Sequence, residues 1–431
     1  MKRTITSLGI PAILASLRER TTTLATKGTL RDNWQQWTLL LIALVSALMM
    51  RKYLLPHFTG DFTYFMLPWF DHLKLQGFYG LGQEFANYNV PYLYLLYITT
   101  KLPLEALEAV KLISGVFDLV LAAGVVAIVF HFRRSTILAG LVGIAFLFLP
   151  EVLLNSGMWG QVDGIFTSFL VWTAYFVLTR KDILAWVCFT IAFEFKLQAL
   201  FFLPWILLAF IIQKHRWRAI AFAVGTALVC YVPALIAGRS VGSLAGIYLE
   251  QIGTDKDLTR SAVNLYQWIP NSLFEIMQPA GVFLALGSVS LLTILYLRRS
   301  VVMPDKERWL VQVAAGYGVL VPFVLPQMHE RYFFTAGVFV ALCALLDRKY
   351  LVPALVLQFT AVIAYAPFVF ATPTLVPLGI AAIVQLAAVA WVIWLSLTPI
   401  APNLRPFFPQ PDHEVRSSAH AASVGTTSAP L

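Results

Sequence analysis

Twelve apolar runs recur along this chain of 431 residues, near 36–55, 108–131, 136–151, 162–179, 183–196, 198–212, 219–237, 279–297, 309–326, 332–346, 351–371 and 376–398. Such runs are too long and too free of charge to be surface helices of a soluble domain. A straight bilayer crossing takes about 20 apolar residues. The expected fold is therefore an all-α polytopic membrane protein, a bundle of about 12 helices with a range of 10–13. Composition agrees: soluble domains carry about a quarter charged residues, and this chain carries 12%. The pair around Lys196 is the shortest, and reads either as a hairpin of two short helices or as a re-entrant element.

The net charge of +9 invites a nucleic-acid reading, but its distribution argues against one. With the N-terminus inside, Arg133-Arg134, Arg180-Lys181, Lys214/Arg216/Arg218, Arg298-Arg299/Lys306/Arg308 and Arg348-Lys349 all fall on the inner side. Adding both tails places about 21 of the 31 Lys and Arg there. The positive-inside rule thus orients the chain, with both termini cytoplasmic and the membrane that of a bacterial cell. Residues 1–35 form a basic N-terminal segment leading into a full span, so no cleavable signal peptide is expected. Residues 36–400 form one membrane domain, with outer loops at about 57–107 and 238–278. The Pro/Ser/Ala/Thr-rich tail 401–431 is expected to be disordered. Cys188, Cys230 and Cys343 lie within apolar runs, as small buried hydrophobes without metal-ligand spacing or a disulfide framework.

Every dense polar constellation falls on the outer face. Gly60-Asp61-Phe62 opens the first outer loop, which continues through Trp69, Phe70, Asp71 and His72 to Asn87-Tyr88-Asn89. Its aromatics suit amphipathic helices lying in the headgroup plane. An ionisable residue so close to lipid-facing sequence is costly to desolvate, which marks Asp61 as a functional candidate, with a helix cap as the plain alternative. Next comes Asn155-Ser156-Gly157-Met158-Trp159-Gly160-Gln161-Val162-Asp163. Here small residues allow close approach and Gln161 and Asp163 offer hydrogen bonds, or else Asp163 caps a turn. Lys196 stands between Phe195 and Leu197, followed by Gln198. It needs a counter-charge, either a carboxylate such as Glu194 or Asp163, or a ligand phosphate. Met328-His329-Glu330-Arg331-Tyr332 fills a short outer turn. Arg holds phosphate bidentately and His can donate to the same group, while a plain Glu330–Arg331 salt bridge is the alternative. His329 has no second His at ligand spacing, so zinc is not indicated.

Together these four segments resemble the GT-C class of membrane glycosyltransferases, nearest to bacterial relatives of the GPI-anchor mannosyltransferases and N-glycan-pathway glucosyltransferases. The resemblance spans residues 36–340 and leaves the last two runs without a motif. It implies sugar transfer from a polyprenyl-phosphate donor to a hydroxyl of a lipid-linked or surface glycan, on the extracytoplasmic face. A mannose-like hexose fits best. It further implies Asp61 as catalytic base, and Lys196, His329 and Arg331 near the donor phosphate. Asp71, Asn87, Trp159, Gln161, Asp163, Gln198 and Glu330 complete the expected substrate-binding set. Phe62 stands where protein O-mannosyltransferases carry an Asp-Glu pair, and the large soluble domain and WWD-type motif of oligosaccharyltransferases are missing. Phosphate leaves readily, so no cofactor is required, although a divalent metal is compatible. A polyprenyl-linked sugar flippase or secondary transporter is the competing expectation, resting on Asp118, Glu151 and Glu194.

Overall fold

The computed structural model describes residues 34–253 and 256–399, which fold almost entirely as helices. All but the last two residues of the basic N-terminal segment, and the tail 401–431, lie outside the described residues. Helix α1 spans Trp34–Leu54, and two short helices follow in the first long loop, α2 (Leu67–Gln76) and α3 (Val90–Thr99). Then come α4 (Ala106–Arg133), α5 (Thr136–Phe146), α6 (Asp163–Leu178), α7 (Asp182–Phe195), α8 (Leu203–Gln213), α9 (Ile220–Ile236) and α10 (Val241–Gly253). The chain closes with α11 (Phe274–Arg299), α12 (Lys306–Val324), α13 (Phe334–Leu346), α14 (Leu351–Val369) and α15 (Leu378–Leu397). Local signals start and stop these helices. Glu105 and Glu108 form a capping box ahead of α4, and Asp305 accepts from the Arg308 amide at the start of α12. Proline opens α2, α3 and α8, where its missing N–H costs nothing.

Each of the twelve apolar runs is helical, but their lengths differ. Among the described residues six stretches are long and apolar enough to cross a membrane: Trp34–Leu54, Ala106–Arg133, Trp217–Ile236, Asn271–Arg299, Arg348–Val369 and Leu378–Leu397. A seventh results if Thr136–Phe146 and Pro150–Trp159, bent by 53°, count as one. The expected twelve full crossings therefore exceed what length and composition support. The shortfall is clearest around Lys196. There the backbone turns extended (φ −157°, ψ 130°) and ends α7 after 14 residues. That helix reaches only about 21 Å at ~1.5 Å per residue, against a hydrocarbon core of ~30 Å.

The interior is built from α12, α13 and the facing sides of α4, α6, α7 and α14. Small residues bring these helices close; a Cβ at Gly124 of α4 would come within 2.9 Å of Val171 Cγ1 on α6. By contrast α1, α9 and α11 leave most of their apolar side chains uncovered, as Val229 (69%) and Phe283 (74%) show. Such uncovered surface suits lipid contact. Helix α2 is amphipathic as expected, burying Trp69, Phe70 and Leu73 while exposing Asp71 and Lys74.

Two irregularities shape one end of the bundle. The π-helical turn Phe62–Met66 follows Asp61, and a second, Leu153–Trp159, runs into Gly160. π turns widen a helix locally and often accompany functional sites. Gly160 adopts φ +75°, and a Cβ there would press on Val110 Cγ1 at 3.1 Å. Glycine is thus required to deliver Gln161 and Asp163 to the start of α6. At the same end, strand β1 (Thr259–Arg260) pairs in parallel with β2 (Met328–His329), fastening the 238–278 loop to the turn before α13.

Candidate functional site

The end of α1, the entry to α6, the end of α7 and the α12–α13 turn meet in one cluster of ionisable side chains. Asp61 lies at its rim, 30% exposed. Its Oδ2 accepts hydrogen bonds from Trp159 Nε1 at 3.0 Å and Gln161 Nε2 at 2.7 Å. Arg331 Nη1 is 3.9 Å from the same oxygen. Among the described residues Oδ1 accepts no hydrogen bond. The carboxylate makes no helix-capping bond, so the plain alternative reading of Asp61 fails.

Asp163 lies deeper and is almost fully buried. Its Oδ1 pairs with Lys196 Nζ; its Oδ2 accepts from Asn155 Nδ2 at 2.9 Å and lies 3.5 Å from Arg331 Nε. It too caps nothing. Lys196 therefore takes Asp163 as its counter-charge and not Glu194, whose carboxylate accepts from Tyr248 at 2.9 Å and Tyr231 at 3.3 Å. The Lys196 ammonium also sits over the rings of Tyr332 (5.4 Å) and Phe166 (5.7 Å).

Arg331 joins the rim to the interior. Nη1 meets Glu330 Oε1 at 2.5 Å, and the guanidinium lies 5.4 Å above the Trp159 ring. The Glu330–Arg331 pair exists as the plain reading has it, yet Arg331 also reaches Asp61 and Asp163. Burial alone would raise the Glu330 carboxyl, but the charge of Arg331, helped by His329, holds it below the ordinary glutamate range. Burial likewise opposes the charged form of Arg331, and the carboxylates of Glu330, Asp163 and Asp61 overcome it. His329 Nδ1 is 3.8 Å from Glu330 Oε2, and its ring packs on Tyr332 at 5.1 Å. Three carboxylates and two basic side chains, Lys196 and Arg331, thus interlock within one polar core.

Of the expected site residues, Asp61, Trp159, Gln161, Asp163, Lys196, His329, Glu330 and Arg331 converge. Gln198 lies on the turn beside Lys196, half-buried, with Oε1 buried and unbonded. Asp71 and Asn87 are exposed at the surface. Several members come from outside the expected set. Tyr88 faces Arg331 and Asp163; burial pushes its phenol above the ordinary value, against the pull of Arg331. Asn155 and Tyr332 lie inside the motifs already singled out. Tyr365 and Phe368 of α14 pack on Trp159, at 5.6 and 5.4 Å. The last runs are therefore part of this end of the molecule although they carry no motif.

The segment leading to Asp61 is clamped from behind. Lys111 Nζ donates to the carbonyls of Leu54 (2.8 Å), Leu55 (3.1 Å) and His57, and His57 Nε2 is 2.6 Å from the Val369 carbonyl. Arg51 holds Asp118 Oδ2 through Nη2 (2.7 Å) and Nε (3.1 Å), while Ser156 donates to Asp118 Oδ1 at 2.7 Å. Chemically, the cluster offers an accessible carboxylate oxygen beside fixed positive charge, with Gln161 Oε1 still unbonded. No protein-family model matches the chain, and no curated protein does.

Proposed function

We propose that the chain is an inverting glycosyltransferase that moves a mannose-like hexose from a polyprenyl-phosphate donor to a glycan or glycolipid hydroxyl. The observation that carries this reading is Asp61. Two donors fix one of its oxygens and leave the other at an accessible rim, next to a cluster holding Arg331 and Lys196. A hydroxyl is a weak nucleophile, so a positioned carboxylate must accept its proton as the new glycosidic bond forms. Oδ1 has that role here, with Trp159 and Gln161 keeping Asp61 in place. The bond from the anomeric carbon to phosphate oxygen breaks in the same step. Its electrons pass to the leaving polyprenyl phosphate, where Arg331, His329 and Lys196 are the stabilising donors. Because Lys196 and Arg331 are already matched to carboxylates, their positions are set before the donor arrives. In this reading the bundle is GT-C-like, with about twelve membrane-embedded helices, some short or bent. The Asp61 end faces the periplasm or exterior, and both termini are cytoplasmic.

Asp61→Asn keeps shape and removes the base. Turnover of synthetic polyprenyl-phosphate mannose should drop by about 10²–10⁴ with donor affinity retained. Turnover close to wild type would remove Asp61 from the chemistry. A flippase or transporter reading draws on Glu151, fully buried with neither carboxyl oxygen hydrogen-bonded. Asp118 and Glu194, its other supports, are each tied to separate structural partners. Movement of the donor between leaflets without transfer to any acceptor would favour that reading.

A further inference from the structure

The opposite end of the bundle carries a second polar feature that the proposed reaction does not use. A cleft of about 610 Å³ opens between the end of α6, the end of α8 and the start of α12. It is lined by Arg180, Lys214 and Lys306, with Gln213, Asp305 and Glu307. Its two carboxylates are already engaged: Asp305 with Arg308 at 3.2 Å, and Glu307 with His131 at 2.8 Å. Its three cations are not so matched. Arg180 Nη1 donates to the Gln213 carbonyl at 2.8 Å, and among the described residues no carboxylate pairs with Arg180, Lys214 or Lys306. The local balance is therefore positive, in a concave space large enough for a small ligand group.

The backbone enforces this convergence. Arg180 and Lys214 both sit at helix ends with φ +54°, a left-handed conformation that glycine or asparagine ordinarily takes there. Cations from three separate elements are thus aimed into one cleft, at some backbone cost. The surroundings say which anion fits. Next to the cleft residues in the chain, Ile211 (51%), Trp217 (45%) and Val302 (57%) are exposed. Exposed tryptophan and aliphatic side chains beside lysine and arginine are the composition of a membrane–water boundary. An anion that brings its own apolar chains satisfies both halves of this surface; a free anion satisfies only the cations.

The geometry points to a binding site for the phosphate of an anionic lipid headgroup in the Arg180–Lys214–Lys306 cleft. The site is independent of the Asp61 cluster and of the reaction proposed for it. Each lysine or arginine near an anionic headgroup strengthens attraction by an amount equal to about fivefold in affinity.

The test is native mass spectrometry of the full chain in detergent, titrated with phosphatidylglycerol or phosphatidylcholine, with inorganic phosphate as competitor. Phosphatidylglycerol should be retained preferentially. Arg180→Gln, Lys214→Gln and Lys306→Gln should each weaken it about fivefold, Lys214→Arg should restore it, and Arg299→Gln, outside the cleft lining, should change nothing. Should Arg180→Gln or Lys214→Gln, both at helix ends, fail to fold, Lys306→Gln alone reads the same effect, since Lys306 is exposed. Undiminished phosphatidylglycerol binding in Lys306→Gln, or an equal loss in Arg299→Gln, overturns the site. Displacement of the lipid by an equal concentration of inorganic phosphate overturns the lipid assignment.

Discussion

The two ends of the bundle solve the same electrostatic problem in opposite ways. At the Asp61 end, charges are few, mostly buried and shared: Arg331 alone lies within 4 Å of Asp61, Asp163 and Glu330. At the basic end, charges are many and most of the cations are exposed, and the ion pairs are separate from one another, as with Asp305–Arg308, His131–Glu307 or the more buried Asp182–His215. Removing a side chain from a shared buried network leaves several groups unpaired, whereas an exposed pair loses only its own small term. Interlocked charge in an apolar chain is expensive to maintain. In the proposed reading, its concentration at one end makes that end the place where chemistry is done, and the other the place that meets water and headgroups.

The largest effect should follow removal of the shared cation. Arg331→Met leaves Glu330 and Asp163 buried without their guanidinium, which should cost about 3–5 kcal/mol. A thermal melt in detergent reads it, and a loss no bigger than that of Arg308→Met would erase the contrast between the ends. Lys196 comes next. Lys196→Met should weaken binding of the proposed polyprenyl-phosphate donor by roughly 1.5–3 kcal/mol, the scale of a charge-assisted hydrogen bond. Because Lys196 and Arg331 both touch Asp163, their effects should couple in a double-mutant cycle. Strict additivity would mean separate roles. The smallest effect belongs to the basic end. Burial would raise Asp182, but the Arg216 amide at 2.8 Å and His215 at 2.6 Å bring it below its ordinary value. Its contribution is therefore full above the unfolded value of ~3.9 and fades as pH falls through the lower folded value. Asp182→Asn should cost about 1 kcal/mol at neutral pH and nothing at strongly acid pH. A loss that persists in acid would contradict the assignment.

Much of the Asp61 end is legible in the sequence because ionisable residues stand out against an apolar background. Asp61, Asp163, Lys196, Glu330 and Arg331 are conspicuous for that reason, and their order along alternating helices already implies a common end. Which of the candidate partners Lys196 takes is not legible: Glu194 is two residues away, yet packing turns it toward Tyr231 and Tyr248 and leaves Asp163 as the partner. Nor are the aromatic members. With 32 Phe, 16 Tyr and 12 Trp in the chain, Tyr88, Tyr365 and Phe368 carry no signal until the helices are assembled. The gap between twelve apolar runs and six long apolar helices has a related cause. Hydropathy registers apolar runs but is blind to the extended residue that ends α7 and to the π turns beside Asp61 and Trp159.

The central claim, that the Asp61 end performs a single-displacement sugar transfer, is tested most directly by the stereochemistry of the product. Purified protein would be given synthetic β-linked polyprenyl-phosphate mannose and a panel of glycolipid acceptors, with the new linkage assigned by nuclear magnetic resonance. One displacement at the anomeric carbon inverts it, so the expected product is α-linked and disappears in Asp61→Asn. A β-linked product, or an α-linked product formed equally well by Asp61→Asn, would contradict the account.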